Sequence, residues 1–213
     1  MGSQTIMDII GSIVVFGWLF LMTLQGNVAN SENIQTLKGD LLVQENLVEV
    51  TRLLEYDFRK IGFCNEPNHL PDPTKSILAA DTSSIKFLTD VVDDGGPDGN
   101  VDSIYYYLGP TSELSMTPNP RDRFLYRKVN VVPAKGANLG ITSFKLKYYD
   151  ASGNQIPTPV SAPNLQRIQT IQITLSVENV YASTISETAP LNTQYSSAFW
   201  QQMRMSTRNY SNR

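Results

Sequence analysis

The first stretch of the chain is almost wholly apolar. From Ile6 to Leu24 the sequence reads IMDIIGSIVVFGWLFLMTL, with one charged residue. At about 1.5 Å per residue, a helix over this stretch measures roughly 28 Å, which is close to the thickness of the bilayer hydrocarbon core. The pattern therefore predicts a hydrophobic helix within residues 1–30 that is able to cross a membrane.

Apolar residues continue after Gly26 and Asn30, but they now recur at steps of three and four. The recurring positions are Ile34, Leu37 and Leu41, and then Leu47, Val50, Leu54, Phe58 and Ile61. This spacing is typical of an amphipathic helix. We expect residues 31–62 to continue the first helix beyond a weak point near Gly26 and to end at Gly62, a residue type common just after helices.

The remainder, residues 63–213, is predicted to form a β-rich head. From Ser84 onward, runs rich in β-branched and aromatic residues alternate with clusters of Gly, Pro, Asn and Asp. The candidate strands are SSIKFLTDV, VDSIYYYLG, DRFLYRKVNVV, ITSFKLKYYD and LQRIQTIQITLSVEN. Because apolar residues alternate along the last run, we expect an antiparallel sheet with one face on the amphipathic helix, in an α+β fold.

Three local features of the head carry their own predictions. The sequence DASGN, at 150–154, is typical of a hairpin turn. The stretch from Ser196 is either a last strand or an irregular tail. Tyr106 must face away from Tyr105 and Tyr107 if they share a strand, so either Tyr106 or its two neighbours point outward.

Asp8 is the only charge in the apolar stretch, and a carboxylate at membrane depth is costly unless it is paired or near the interface. It either lies in the headgroup region or at the helix N-terminus, where the macrodipole favours an anion, or it neutralises an α-amino group and sets the axial register of a polymer. In the second interpretation Asp8 is an assembly residue. The residues in the core of such a polymer are then Ile9, Ile13, Phe16, Phe20 and Leu24.

The loop DVVDDGGPDGNVD, at 90–102, concentrates oxygen ligands around three glycines. Calcium binds six to eight hard oxygen atoms on a flexible turn, so this loop is a candidate calcium site. The candidate ligands are Asp93, Asp94, Asp98, Asn100 and Asp102. Asp, Asn and Gly are also the residues of any tight solvated turn, and the spacing is not that of an EF-hand.

Composition excludes several other functions. Charged residues make up 17% of the 213-residue chain, below the roughly 25% of soluble domains, which suits an extracellular surface. A net charge of −3 offers no basic footprint for nucleic acid. The single cysteine, Cys64, excludes an intrachain disulfide, and the single histidine, His69, lies in a Pro-rich loop. Because no nucleotide-binding, nucleophile-elbow or zinc motif is present, we expect neither an enzyme nor a required cofactor.

The chain resembles type IV pilin-like proteins, in particular minor pilins and pseudopilins of the W and J classes. LLEYDFRKIGF is similar to the end of that family's long helix, with Asp57, Arg59 and Gly62 in the matching positions. IKFLTDVVDDGGPDGNVDSIYYYLG, LYRKV, ITSFKLKYYDASGN and STRNY continue the resemblance through the head. It implies that Asp8 takes the role of the family's helix glutamate.

This resemblance implies a structural subunit of a type IV pilus-like filament or pseudopilus, which polymerises through its N-terminal helix. The partners would be copies of itself, other pilin-like subunits and assembly machinery. The subunit would lie in the inner membrane before assembly and at the cell surface afterwards. The alternative is a single-pass membrane protein whose β-rich head is a binding or adhesion module.

Overall fold

A computed structural model describes residues 2–93, 96–179 and 199–206 of the chain. The chain divides into two compact units, Met1–Leu41 and Leu42–Arg213. The first unit contains the apolar part of the N-terminal helix. The second contains the rest of that helix and the β-rich head, so the coarse α+β prediction is confirmed.

Helix α1 runs from Gly2 to Arg59 and stays α-helical through the predicted weak point at Gly26. It ends three residues before the predicted end. A turn over residues 60–62 follows, in which Gly62 has a φ of +75° and donates its N–H to the carbonyl of Leu88 at 3.0 Å. The left-handed conformation explains why glycine suits this position.

The described part of the head contains one short helix, three 3₁₀ turns and eleven strands. The helix α2 is Ala162–Leu165, and the 3₁₀ turns are Pro67–His69, Pro73–Lys75 and Thr111–Leu114. The strands are β1 Ile77–Ala80, β2 Ser84–Thr89, β3 Val92–Asp93, β4 Gly96–Pro97, β5 Asp102–Leu108, β6 Leu125–Val129, β7 Lys135–Ala137, β8 Ile141–Tyr149, β9 Gln155–Ile156, β10 Thr170–Val177 and β11 Phe199–Ser206.

The strands form more than the one sheet that the sequence predicts. Five strands pair in the order β1-β2-β5-β6-β7, four in the order β11-β10-β8-β9, and β3 pairs with β4. All pairs are antiparallel, as predicted. Strand alternation indicates which face is buried but not which strands are neighbours, so it does not separate one sheet from two.

The core joins α1 to both larger sheets. Val43, Val50, Leu54 and Phe58 on the helix share one apolar cluster with both sheets. The ring of Phe58 contacts Phe87 of β2 and Tyr106 of β5, with centroids 5.4 and 5.8 Å apart. The five apolar residues predicted to share a face of the last run are all buried, namely Ile168, Ile171, Ile173, Leu175 and Val177. The residues of α1 that cover the sheets therefore begin at Val43, whereas Ile34, Leu37 and Leu41, also predicted to pack on the head, are exposed.

Two local predictions in the head are also confirmed. The DASGN sequence forms the turn between β8 and β9, closed by hydrogen bonds between Asp150 and Asn154. The stretch after Ser196 contains a last strand, β11, which pairs with β10 along its full length. Most of the STRNY ending lies outside the described residues.

Candidate functional site

The apolar half of α1 is exposed along its whole length. Ile6–Val28 is the one helical segment of the described residues that is long and apolar enough to cross a membrane, and none of it is buried against the chain. The residues predicted to pack in a filament core are all among its exposed side chains: Ile9, Ile13, Phe16, Phe20 and Leu24. Their role in packing between copies stays a prediction.

The two hydroxyl groups in the span bond to the helix itself. Ser12 donates to the backbone carbonyl of Asp8, and Thr23 donates to the carbonyl of Leu19 at 2.9 Å. A hydroxyl that donates back to the preceding turn needs no water, so it is compatible with an apolar environment. Asp8 is the one charged residue of this segment, so it is the side chain that most needs an external partner.

Asp8 is exposed, and its carboxylate bonds to no group in the described part of the chain. Helix α1 has no acidic residue in its first turn, so Asp8 lies in its second turn, where the helix dipole has less effect. A headgroup position, an interaction with the helix N-terminus and pairing with a neighbouring α-amino group stay the interpretations of Asp8.

An apolar face continues on α1 beyond the membrane-length segment. Ile34, Leu37, Leu41 and Val48 are 44%, 63%, 64% and 49% exposed. Their spacings of three, four and seven residues bring them to one side of a helix, in the pattern of helices that pack along each other. This exposed face differs from the buried face that begins at Val43, so the second half of α1 has two apolar sides.

A buried ion pair fixes the last turns of α1 to the five-stranded sheet. Asp57 accepts hydrogen bonds from Arg127 of β6, with Nε–Oδ2 and Nη2–Oδ1 distances of 2.6 and 3.3 Å. The hydroxyl of Tyr106 donates to the same carboxylate at 2.5 Å. Burial, together with the charge on Asp57, raises the pKa of Tyr106, which keeps this donor protonated. Sequence reasoning missed this cluster because its members are far apart in the chain.

The acidic loop brings three carboxylates together. One oxygen from each of Asp90, Asp98 and Asp102 lies within 4.8 Å of the others. Asp98 and Asp102 belong to the predicted calcium set, whereas the sequence does not distinguish Asp90 from the other acids of the loop. Burial distinguishes it in the structure, since Asp90 is fully buried while Asp98 is exposed.

Of the other predicted ligands, the structure describes the side chain of Asn100 alone. Asn100 donates its backbone and side-chain N–H groups to Asp98 at 2.8 Å, which holds the pKa of Asp98 below its usual value. Asp93 pairs with Gly96 between β3 and β4 through its backbone, and its side chain lies outside the described part. Asp94 lies outside the described residues. The turn interpretation thus accounts for the Asp98–Asn100 contacts, but not for Asp90.

The outer face of the five-stranded sheet carries a stack of tyrosines. Tyr106 points into the core, and Tyr105 and Tyr107 are the pair that points outward. The ring of Tyr107 stacks on Tyr105 and on Tyr126 of β6, with centroids 4.8 and 4.9 Å apart. Tyr126 also donates to Glu113 at 2.9 Å. The tyrosines of the aromatic run therefore all have packing partners within the head.

Comparison with known proteins adds no assignment to these features. No protein-family model matches the chain, and no curated protein matches it.

Proposed function

We propose that this chain is a structural subunit of a type IV pilus-like extracellular filament or pseudopilus, and that it polymerises through α1. The observation that carries the proposal is the uncovered apolar surface of this helix. Every large apolar side chain from Ile6 to Leu24 is exposed. Burying a side chain of this size contributes about 1.5–3 kcal/mol, so the helix requires lipid or other protein around it.

The apolar face beyond the span favours a polymer over a lone anchor. A single-pass anchor needs about 20 predominantly apolar residues, and Ile6–Val28 is a predominantly apolar segment of 23 residues. Leu37 and Leu41 lie past that segment and are still more than 60% exposed. Helices of neighbouring copies would cover them, in the same way that they would cover the apolar span after the subunit leaves the membrane.

Asp8 supplies a polar element that can align neighbouring copies. An unpaired carboxylate among apolar helices is unfavourable, and a nearby cation such as an α-amino group relieves the cost. Because only one register brings the two groups together, the pair would fix the axial offset between subunits. The proposal includes no enzymatic activity, and its partners are other subunits, the assembly machinery and the membrane before assembly.

The alternative is a single-pass membrane protein whose head acts as a binding module. One observation favours it, namely that the 23-residue apolar segment is by itself sufficient for anchoring. The two functions differ in what the cell surface carries. A filament subunit is released by shearing as part of regular fibres, whereas an anchored module stays in the membrane fraction.

The test is electron microscopy of material sheared from cells that carry the assembly machinery, with the subunit identified by mass spectrometry. We expect regular filaments from the natural chain, a loss of at least about tenfold in filament number for Asp8→Ala, and recovery for Asp8→Glu, because the pairing needs a carboxylate. Glu49→Ala is the matched control, since Glu49 is an exposed acid on the same helix.

The controls separate assembly from folding. Circular dichroism of detergent-solubilised Asp8→Ala is expected to match the natural chain, because Asp8 lies outside the compact unit that contains the head. Normal filaments from Asp8→Ala would refute the register role. The absence of filaments from the natural chain, with all of it in the membrane fraction, would favour the anchored module.

A further inference from the structure

The loop between β2 and β5 holds a cluster of negative charge that the described residues do not neutralise. Oxygens of Asp90, Asp98 and Asp102 approach within 4.8 Å of one another. No Lys or Arg in the described ranges forms a salt bridge with any of the three. Like charges at this separation repel, so the cluster is more stable with a cation bound than without one.

The buried member of the cluster provides independent evidence for a ligand. Asp90 is 0% exposed. Its Oδ2 accepts the backbone N–H groups of Asn65 and Gly99 at 3.0 and 3.1 Å, whereas its Oδ1 has no hydrogen-bond partner. A buried carboxylate oxygen without a hydrogen-bond donor is rare, because no hydrogen bond offsets the free-energy cost of removing it from water. A cation bound by the cluster would offset the charge of this buried carboxylate.

From these two observations we propose that the loop binds a calcium ion through Asp90, Asp98 and Asp102. Two oxygens that bind one Ca²⁺ at about 2.4 Å each are at most about 4.8 Å apart, so the three carboxylates are close enough to share an ion. Asp98 is exposed, which leaves room for water in the remaining coordination positions. Calcium accepts such irregular oxygen geometry, whereas magnesium demands a near-ideal octahedron.

The ion would stabilise the segment that follows α1. Asp90 donates its N–H to the carbonyl of Phe63 at 2.8 Å and accepts from Asn65. The thiol of Cys64 and the Nδ1 atom of His69 both contact the carbonyl of Gly99, at 3.3 and 2.6 Å. The loop is therefore bonded to residues 63–69 at several points. Calcium that orders the loop orders the junction between helix and head as well.

The experiment uses the full chain in detergent, freed of metal with EDTA and titrated with CaCl₂ by calorimetry and by thermal unfolding. We expect calcium to raise the melting temperature, because a ligand that binds only the folded state stabilises it. Asp98→Asn keeps the turn hydrogen bond and removes one charge, so it should weaken calcium binding at least about tenfold with little change in the metal-free melting temperature. Asp150→Asn is the matched control, since Asp150 also accepts backbone N–H groups in a turn.

Several results would overturn the proposal. One is an unchanged melting temperature and no heat of binding at about 10 mM calcium, a concentration above the usual range of extracellular modules. Another is equal calcium affinity in Asp98→Asn and the natural chain. An equal response to MgCl₂ would refute the assignment to calcium. Asp90→Asn provides a second variant, which is expected to abolish calcium binding. If Asp90→Asn does not fold, the calcium affinity of Asp98→Asn still tests the proposal.

Discussion

The contact between α1 and the five-stranded sheet predicts a large loss of stability for Arg127→Met. The side chains of Asp57 and Arg127 are 3% and 26% exposed. Removing the guanidinium leaves the carboxylate of Asp57 buried, with the hydroxyl of Tyr106 as its one remaining donor among the described residues. Breaking a buried ion pair in this way costs about 3–5 kcal/mol. Since water can partly reach the Arg127 site, we expect about 3 kcal/mol.

The corresponding change in melting temperature follows from the size of the head. The unit Leu42–Arg213 has roughly 170 residues, and its unfolding entropy at about 2.1 cal/mol/K per residue is about 0.36 kcal/mol/K. A loss of about 3 kcal/mol therefore lowers the melting temperature by about 8 °C. The assay is thermal unfolding of the full chain in mild detergent, followed by near-ultraviolet circular dichroism.

Two further variants test the cause. Arg59→Met removes an exposed pair with Glu55, whose charged atoms are 3.6 Å apart, and should cost less than about 0.5 kcal/mol. Adding Asp57→Asn to Arg127→Met replaces the unpaired buried carboxylate with a neutral amide. The double variant should recover about 1–2 kcal/mol of the free energy of unfolding. If Arg127→Met costs less than about 1 kcal/mol, and the added Asp57→Asn changes nothing, the buried pair does not hold the helix to the head.

Two other predictions concern the head. Burial above all raises the pKa of Asp122 from 3.8 to about 6, so its protonation stabilises the folded state fully below about pH 3.8 and this contribution is lost as the pH rises through 6. Asp122→Asn should therefore flatten the stability profile between pH 4 and 6 in urea titrations, and an unchanged slope there would contradict this role. Gly140 has a φ of +70° and an added Cβ would lie 2.4 Å from the carbonyl oxygen of Glu178, whereas Gly153, at +80°, has open space. Gly140→Ala should cost about 3 kcal/mol and Gly153→Ala about 1 kcal/mol in the same assay, with equal losses contradicting the steric argument.

Local periodicity predicted much of the fold. The five runs chosen from the sequence each contain an observed strand, and the helix extends close to the predicted end. Short strands such as β1, β7 and β9 were missed because two to four residues are too few to display alternation. The division into two sheets depends on pairing between distant segments, such as β2 with β5, and no local pattern encodes that choice.

The candidate sites show the same division between local and distant information. Asp98 was predicted because the glycine-rich loop around it is visible in the sequence. Asp90 belongs to the same loop, but its importance comes from burial and from the N–H group of Asn65, 25 positions earlier. The Asp57–Arg127 pair joins residues 70 positions apart. The sequence around a single charged residue does not indicate which distant residue it pairs with.

The two apolar sides of α1 set what can be learned from an isolated subunit. Leu54 is fully buried in the head, whereas Leu37 is 63% exposed. A cavity at Leu54 changes the melting temperature of one molecule, but truncation of Leu37 leaves that temperature nearly unaltered. Any selective constraint on Leu37 therefore comes from what packs against its exposed side chain, and not from the stability of the subunit's own fold. A mutational scan scored by stability would therefore register one side of the helix as essential and the other as tolerant, whatever the exposed side does in the cell.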